Sequence, residues 1–400
     1  MLARSVARFC KVNAMDLASA PTIAVCKPAH PAAPADRARI CILTASKARD
    51  SAFTEAWDAL VAEATQPNPF LEPWFLLPSL DHFGGERVRL IARYEGERLA
   101  GIMPIERRTS YYGYPVPHLA GWLHDNSFCG GPLVARGSEH AFWRDLLAEL
   151  DREPGLALFL HLPGLPADGA LHAALEDVLA AEHRRAVTVQ DEARAMLVSG
   201  LSPAAYLEAS MSAKKRKELR RQHKRLSEEG ELRFVRAKDA DGSRLWIDQF
   251  LGLEAAGWKG DAGSALADAP ETRAFFTSAL AGAAEAGRLE RLTLLLDGNP
   301  IAMLATFLTP PGAFGFKTTF DERYARFSPG LLLQIENLDI LERQDIEWSD
   351  SCAAPGHSMI ERIWREKRRL TTRNIAIGGR LWRAAFRALM AYETRGGPAS

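Results

Sequence analysis

The sequence has no net charge, few cysteines and no long apolar run. Its 50 basic residues are balanced by 50 acidic ones, whereas a DNA-binding protein is usually basic as a whole. The five cysteines are scattered and include no C-x-x-C pair, which argues against a structural zinc site and for a reducing compartment. No apolar run reaches the roughly 18 residues that cross a bilayer. We therefore expect a cytoplasmic protein with no transmembrane segment, no metal and no DNA partner.

The length and the composition indicate more than one globular unit. A chain of 400 residues with 47% hydrophobic and 25% charged residues is long enough for two packed domains. Residues 1–36 are rich in Ala and Pro and are predicted to form a disordered leader. We predict a first unit over residues 37–200, a second over 201–375, and a basic C-terminal tail over 376–400.

Two similar hairpins stand about 200 residues apart in the sequence. The first is "RVRLIARYEGERLAGIMPIERR", in which two apolar runs flank Glu95-Gly96-Glu97. The second is "RLERLTLLLDGNPIAMLATFL", which turns at Asp297-Gly298-Asn299. Apolar runs around such a turn indicate an antiparallel pair of strands. Because helical segments precede both hairpins, the pattern predicts one α/β unit that occurs twice.

The order of elements and four segments point to a known superfamily. The segments are "KKRKELRRQHKRLSEEGELRF", "GWKG", "FKTTFDERYARFSPGLLL" and "DSCAAPGHSMIERIW". Together they resemble the GNAT acyltransferases, and more narrowly a CelD-type branch associated with exopolysaccharide biosynthesis and related to FemAB-type aminoacyltransferases. The resemblance implies an α/β fold of two tandem GNAT-like (acyl-CoA N-acyltransferase) units, with mixed, mostly antiparallel sheets flanked by helices.

The resemblance also implies acetyl-CoA or another acyl-CoA as co-substrate, bound in the second unit. Its pyrophosphate would meet backbone N–H groups and the helix dipole in the turn after the fourth strand. There Ser328 suits a helix cap, Pro329 suits a first turn, and Gly330 allows close approach of an anion. The family's usual Gly-rich pattern is absent, and one glycine remains. The predicted donor-binding residues are Arg323, Arg326, Ser328, Pro329, Gly330, Leu331 and Leu332.

Three residues near this turn are candidate catalytic groups. Lys317 lies in the strand pattern "FGFKTTF" and could stabilise an oxyanion or bind a phosphate; a surface lysine is the alternative. Asp321 is the best carboxylate for a general base because the strand itself contains none. Tyr324 is the candidate acid toward the leaving thiolate.

Eight lysines and arginines lie between Lys214 and Arg225, and a solvated helix face is the simplest interpretation. Nucleic acid would favour interleaved aromatic residues, and a membrane surface would favour a broad apolar face; both are missing there. A phosphorylated substrate needs two or three of these cations. The predicted substrate-binding residues are Lys215, Arg216, Arg220, Glu254, Trp258, Lys259 and Asp350.

These features predict an acyl-CoA-dependent transferase that modifies an amine or hydroxyl of a small-molecule or lipid-linked sugar acceptor. Cys352 and His357 offer a covalent route, but GNAT transfer is normally direct. Two alternatives remain open. One is FemAB-like transfer from aminoacyl-tRNA, and the other is an inactive GNAT pair that binds a precursor and regulates polysaccharide synthesis.

Overall fold

A computed structural model describes residues 38–396, in which strands and helices alternate. The strands are β1 Ala38–Leu43, β2 Val88–Glu95, β3 Arg98–Arg108, β4 His118–Gly121, β5 Leu133–Val134, β6 Phe159–Pro166, β7 Ala186–Leu197, β8 Leu232–Ala237, β9 Leu289–Leu296, β10 Asn299–Thr309, β11 Gly312–Phe320, β12 Trp348–Asp350 and β13 Glu366–Ala376. The helices are α1 Ser51–Glu63, α2 Pro73–Ser79, α3 Glu139–Arg152, α4 Gly169–Ala181, α5 Pro203–Ser210, α6 Ala213–Ser227, α7 Ser243–Ala255, α8 Trp258–Asp261, α9 Pro270–Glu285, α10 Pro329–Glu336 and α11 Arg380–Gly396.

The strands in the described part of the chain form one sheet with the order β1-β2-β3-β4-β6-β13-β7-β12-β11-β10-β9-β8, and β5 pairs with β3. Both predicted hairpins are present, as β2–β3 and β9–β10. Parallel pairing occurs between β4 and β6 and between β11 and β12, and the other pairs are antiparallel. The predicted mixed, mostly antiparallel α/β fold with two related halves is therefore confirmed.

The last strand of each half is exchanged with the other half. Strand β7 follows the first half but pairs with β12, and β13 follows the second half but pairs with β6. The two exchanged strands pair with each other at the centre of the sheet. The exchange joins the halves through continuous backbone hydrogen bonds, which strand periodicity alone does not reveal.

An aromatic cluster joins the two halves behind β11. Phe70 and Phe75 come from the first half, and Phe307, Phe314 and Phe316 come from the second. The rings of Phe70 and Phe314 are 5.8 Å apart, and those of Phe75 and Phe307 are 5.9 Å apart, both edge to face. Such packing buries large apolar areas and fixes ring orientation. Strands β10 and β11 of the second half therefore pack against the first half through this cluster.

The basic run forms α6, as predicted. Ser212 caps the helix by accepting a hydrogen bond from the Lys215 N–H at 3.4 Å. Leu219 and Leu226 are buried and form a narrow apolar stripe. Most of the basic side chains on the other faces are exposed. The helix is therefore held by two leucines and its cap, and its charge remains largely on the surface.

The C-terminal segment that is predicted to be a basic tail contains the helix α11. Phe386 and Met390 of this helix are buried against Phe159 and neighbouring apolar residues. This packing gives the segment a fixed position beside the end of β13. Across residues 38–396, the helices are all too short or too polar to cross a bilayer.

Candidate functional site

A cavity opens where two parallel strands of the second half separate. Strands β11 and β12 pair from Gly312 to Phe314, after which β12 ends and β11 continues. The space between them has a volume of about 520 Å³. Its walls include residues 315–318 of β11, 328–331 at the start of α10, and 351–353 and 357–360 after β12. The predicted catalytic strand and the predicted donor turn therefore line one cavity.

Lys317 presents its ammonium group to this cavity. Its Nζ lies 5.2 Å from the ring centroid of Phe128 and 5.6 Å from that of Phe316. Within the described residues, no carboxylate or other acceptor lies within bonding distance of this group. Burial, and then repulsion by Lys259, lower its pKa from 10.5 to about 8. A desolvated cation over aromatic faces is well suited to a charge that develops on a bound substrate.

Phe128 reaches the cavity from the first half of the chain. Its segment is fixed by Asn68, whose side-chain amide donates to the Cys129 carbonyl at 3.3 Å and the Gly131 carbonyl at 2.7 Å. Gly130 packs directly against β6, and a Cβ at this position would lie only 1.8 Å from the Pro163 carbonyl oxygen. The first half thus supplies a rigid aromatic wall to the site in the second.

The turn before α10 uses most of its amides internally. Ser328 is the N-cap residue of α10, as predicted, but it has a left-handed backbone (φ 55°, ψ 51°) and makes no side-chain cap bond. Its N–H donates to the Ala325 carbonyl, and the N–H groups of Leu331 and Leu332 both donate to the Ser328 carbonyl. Gly330 carries the remaining amide of the first turn, because Pro329 has no N–H. An anion at this turn therefore has one amide rather than a cradle of several.

Two further residues of the cavity wall contain buried polar atoms without a partner among the described residues. Gln334 donates weakly to the Thr318 hydroxyl at 3.4 Å, while its Oε1 has no donor. Trp364 is 1% exposed, and its Nε1 has no acceptor. Unpaired buried polar atoms are costly unless a ligand or water satisfies them. Both atoms are inaccessible from the cavity, so a polar ligand would bond them only if the wall rearranged.

Asp321 and its neighbours face away from the cavity. Asp321, Arg323 and Tyr324 line a separate groove of about 850 Å³. The Arg323 guanidinium bonds the Asp321 carboxylate at 2.6 Å, and this bond lowers the pKa of Asp321. Arg326 pairs with Glu229 at 2.8 Å. The structure thus separates four predicted site residues from Lys317.

The remaining residues that were predicted to bind the donor or the substrate also lie partly in the cavity and partly elsewhere. Pro329, Gly330 and Leu331 line the cavity, whereas Leu332 belongs to the core between α10 and the sheet. Lys259 lines the cavity, and its ammonium contacts the buried Glu254 carboxylate at 2.5 Å. Glu254 also accepts the Leu266 N–H at 2.9 Å. Trp258 begins α8, and its side chain lies outside the described part of the structure.

The basic residues of α6 do not line the cavity. Arg216 donates to the Met211 carbonyl at 2.6 Å and pairs with Glu208 at 3.3 Å. Lys215 is half-buried and Arg220 is exposed on the same helix. The helix packs on the turn that follows β11, where Gln222 donates to the Arg326 carbonyl at 3.4 Å. Substrate binding by these three cations remains a prediction.

Asp350 is fully buried between two arginines from the exchanged strands. Its Oδ2 accepts from Arg194 of β7 at 2.7 Å and from Arg368 of β13 at 2.8 Å. Its Oδ1 accepts the Cys352 N–H at 2.9 Å. Burial alone would raise its pKa, but the two guanidiniums hold the pKa below the ordinary value. Asp350 therefore positions the cavity wall and does not contact the cavity itself.

The nearby Cys and His side chains are poor reacting groups. Burial, and then the Asp350 charge, raise the pKa of the Cys352 thiol well above its ordinary value, which disfavours the thiolate. His357 is exposed at the mouth of the cavity. Burial and Lys317 lower the pKa of His124 to about 3, so this imidazole is neutral near pH 7. The site favours direct transfer over a covalent route.

Phe128, Gln334 and Trp364 are wall residues that the sequence did not indicate. Gln334 gave a weak signal, since it interrupts the apolar run "GLLLQIE" on the buried face of α10. Phe128 gave no signal, because no local sequence pattern shows that a loop of the first half reaches the second half. Such contacts depend on how distant segments pack.

Comparisons with known proteins agree with this fold. Residues 213–353 match the family described as acetyltransferase (GNAT) domain. No curated protein matches the chain by sequence. Among solved structures, FemX is similar with a TM-score of 0.51 and 10% identity, over 81% of this chain and 96% of FemX. The C-terminal domain of an Agrobacterium fabrum protein described as a lysylphosphatidylglycerol synthetase gives 0.50 and 13%, over 80% and 90%.

The second half therefore contains a GNAT-type acetyltransferase domain. At these low identities, the two solved structures show a common fold over most of the chain. The domain supports acyl transfer as the general chemistry. Neither the donor nor the acceptor follows from these similarities.

Proposed function

We propose that the chain transfers an acyl group from acetyl-CoA or another acyl-CoA to an amine or hydroxyl of a sugar-type or cell-envelope precursor. We also propose that the protein acts in exopolysaccharide biosynthesis and is located in the cytoplasm. The observation that carries it is the Lys317 ammonium, which faces the cavity between the separated strands β11 and β12 without a carboxylate partner in the described residues. A thioester carbonyl placed there would meet a desolvated cation.

The acceptor would attack the thioester carbon directly. As the new bond forms, the carbonyl oxygen becomes an oxyanion, and Lys317 stabilises that charge most strongly in the transition state. The C–S bond then breaks, and the thiolate of CoA leaves and takes up a proton. Burial raises the pKa of the Cys352 thiol, which disfavours an acyl-enzyme on this residue. Gly330 supplies the free amide of the turn for a donor phosphate.

Glu254 is the proposed destination of the acceptor proton. It lines a void of about 30 Å³ beside the cavity, together with Lys259, Thr318 and Thr319. This volume is sufficient for about one water molecule with several polar partners. An ordered water there would relay the proton to the Glu254 carboxylate. The relay replaces the role that the sequence assigned to Asp321, because Asp321 lines a separate groove and Glu254 lies beside the cavity.

A rival donor is aminoacyl-tRNA. The observation that favours it is the shortage of free amides at the turn, where the N–H groups of Ser328, Leu331 and Leu332 are already used. The similarity to FemX concerns the fold alone. The third possibility is an inactive pair that binds a precursor without transfer.

Thermal stability distinguishes the three proposals. We expect CoA or acetyl-CoA in about 100-fold excess over its Kd to stabilise the protein by about 2.7 kcal/mol, seen as a rise in Tm, whereas tRNA should leave Tm unchanged. Replacing Gly330 by Asp adds a Cβ 3.2 Å from Met359 and Phe320 in the cavity wall and a negative charge beside the proposed phosphate position, and should remove the rise. A salt-sensitive shift with tRNA but not CoA would favour the rival donor, and a shift with neither would favour the inactive pair.

Arg323→Ala is the matched control for this experiment. The sequence places Arg323 in the donor site, whereas the structure pairs it with Asp321 in another groove. The CoA-dependent shift should therefore be the same as in the wild-type protein. A shift that disappears in Arg323→Ala and survives in Gly330→Asp would contradict the proposed position of the donor.

A further inference from the structure

The outer face of α6 carries a stripe of basic side chains. Its members are Lys214, Lys217, Arg221 and Lys224. Intervals of three and four residues place these side chains on one face of a helix. All four are exposed, and their face lies opposite the buried Leu219. We call them the α6 stripe, which is about 15 Å long at the helical rise per residue.

Most of the charge of the α6 stripe has no counter-ion in the described part of the chain. Arg221 pairs with Glu218 at 2.7 Å, whereas Lys214, Lys217 and Lys224 have no carboxylate within 4.0 Å among the described residues. Like charges at these spacings repel each other and destabilise a helix. Helix stability therefore does not explain the stripe, and an anionic partner would remove the repulsion.

Helix α6 lies against the wall of the transfer cavity. Gln222 donates to the Arg326 carbonyl at 3.4 Å, and the preceding residue, Ala325, lines the cavity. On the buried face of the helix, Leu219 belongs to the same apolar cluster as Leu331, which also lines the cavity. The helix therefore borders the cavity, and the α6 stripe faces solvent beside it.

The turn before α10 suits one phosphate better than it suits a diphosphate. The N–H groups of Ser328, Leu331 and Leu332 are used within the turn, which leaves the Gly330 amide. CoA carries a diphosphate and a further phosphate on its ribose. The same pantetheine arm on an acyl carrier protein carries a single phosphodiester. The number of available amides therefore fits the carrier-bound arm better than it fits CoA.

We propose that an acidic carrier protein delivers the acyl group by docking on the α6 stripe. An acidic helix of the carrier would lie along the stripe, and its phosphopantetheine arm would enter the cavity beside Lys317. The acceptor attacks the thioester carbon and gives its proton to Glu254. The C–S bond breaks, and the carrier thiolate leaves and takes up a proton. This inference rests on the proposed function, because it keeps the cavity and its chemistry and names the carrier of the acyl group.

A carrier protein fits the α6 stripe better than tRNA or a lipid surface does. A phosphate backbone that continued past the end of α6 would meet the exposed Glu228, Glu229 and Glu231, which repel it. A lipid surface requires exposed apolar side chains, and the exposed residues between Lys214 and Arg225 are all polar. The stripe therefore matches a partner that contacts it with about one acidic helix.

Binding of a bacterial acyl carrier protein to the full chain tests the proposal. In fluorescence anisotropy, we expect the acetyl-loaded carrier to bind, and binding to weaken as salt is raised. The apo-carrier, which lacks the arm, should bind less tightly. The double variant Lys217→Glu, Lys224→Glu should weaken binding of the acetyl-loaded carrier at least about tenfold. The CoA-dependent rise in Tm should be unchanged in this variant, because neither side chain lines the cavity.

The double variant Lys47→Glu, Arg185→Glu is the matched control. Both side chains are exposed cations of the first half, so this variant makes the same change in net charge away from α6. It should bind the acetyl-loaded carrier as the wild type does. Equal weakening in the two double variants would overturn the proposal, because net charge rather than the α6 stripe would then explain binding.

The outcomes also separate this inference from the proposed function. A CoA-dependent rise in Tm without carrier binding would overturn the carrier proposal and leave acyl transfer from CoA intact. Binding that is equal for the apo-carrier and the acetyl-loaded carrier would overturn it too, because the arm would not enter the cavity. Arm-dependent binding without a response to CoA would support the carrier and contradict CoA as the donor. Displacement of the carrier from the α6 stripe by tRNA would assign this helix to the rival donor.

Discussion

Replacing Lys317 by methionine is expected to reduce acyl transfer by about 10²–10³-fold, the usual effect of losing one oxyanion-stabilising group. The methionine side chain is unbranched and one atom shorter, and the positive charge over the Phe128 and Phe316 rings is gone. Single-turnover kinetics with a bound donor measure the loss. The CoA-dependent rise in Tm should persist, because Gly330 and the rest of the turn are unchanged.

The same substitution should stabilise the folded protein. In the folded state the Lys317 pKa is about 8, below its ordinary 10.5, so folding disfavours its charge. The free-energy cost of burying the charged lysine is present in full below about pH 8. It declines as pH rises from 8 toward 10.5, because over that range the folded protein has lost the Lys317 proton and the unfolded chain still holds it. At pH 7 we expect Lys317→Met to gain about 3 kcal/mol in the free energy of unfolding.

Lys317→Arg is the matched control, since it keeps the charge but cannot lose its proton. The wild-type rate should fall as pH rises through about 8, and the arginine variant should lack that alkaline decline. Full activity in Lys317→Met, or an alkaline limb that is identical in both proteins, would contradict the oxyanion role. Loss of stability in Lys317→Met would contradict the unpaired, buried position.

Asp350→Ala is expected to destabilise the protein by about 3–5 kcal/mol, because it leaves two buried guanidiniums without a counter-ion. Arg194 and Arg368 are 7% and 4% exposed and share this one carboxylate. Chemical denaturation measures the loss. Asp350→Asn should recover little, although its amide oxygen can still accept the Cys352 N–H, because the missing charge dominates the cost.

Asp191→Ala tests whether burial is the cause. Asp191 of β7 pairs with Arg369 of β13, so the bond joins the same two strands as the Arg194–Asp350–Arg368 cluster. Both side chains are well exposed, and surface ion pairs contribute little. The unfolding midpoint of the Asp191→Ala variant should therefore stay near the wild-type value. Equal losses in Asp191→Ala and Asp350→Ala would mean that strand pairing, rather than a buried counter-ion, explains the effect.

Part of the predicted site lies in one cavity because short motifs fix short-range geometry. Lys317 and the turn at Ser328 are close in sequence, and their strand-to-helix order predicts that both border one cleft. The same closeness misled the assignment of Asp321, since its carboxylate is bound by Arg323 two residues away. Local spacing predicts which residues are near each other, but not which partner each side chain prefers.

The amino-acid sequence by itself determined the two hairpins, the α/β class and the basic helix, since these follow from hydrophobic periodicity and turn residues over a few positions. Only the tertiary structure decided that Phe128 forms a wall of the second-half cavity, that β7 and β13 change places, and that Asp350 is a buried counter-ion. Arg194 and Asp350 are 156 residues apart. Contacts at that separation depend on how whole elements pack, and no local pattern encodes them.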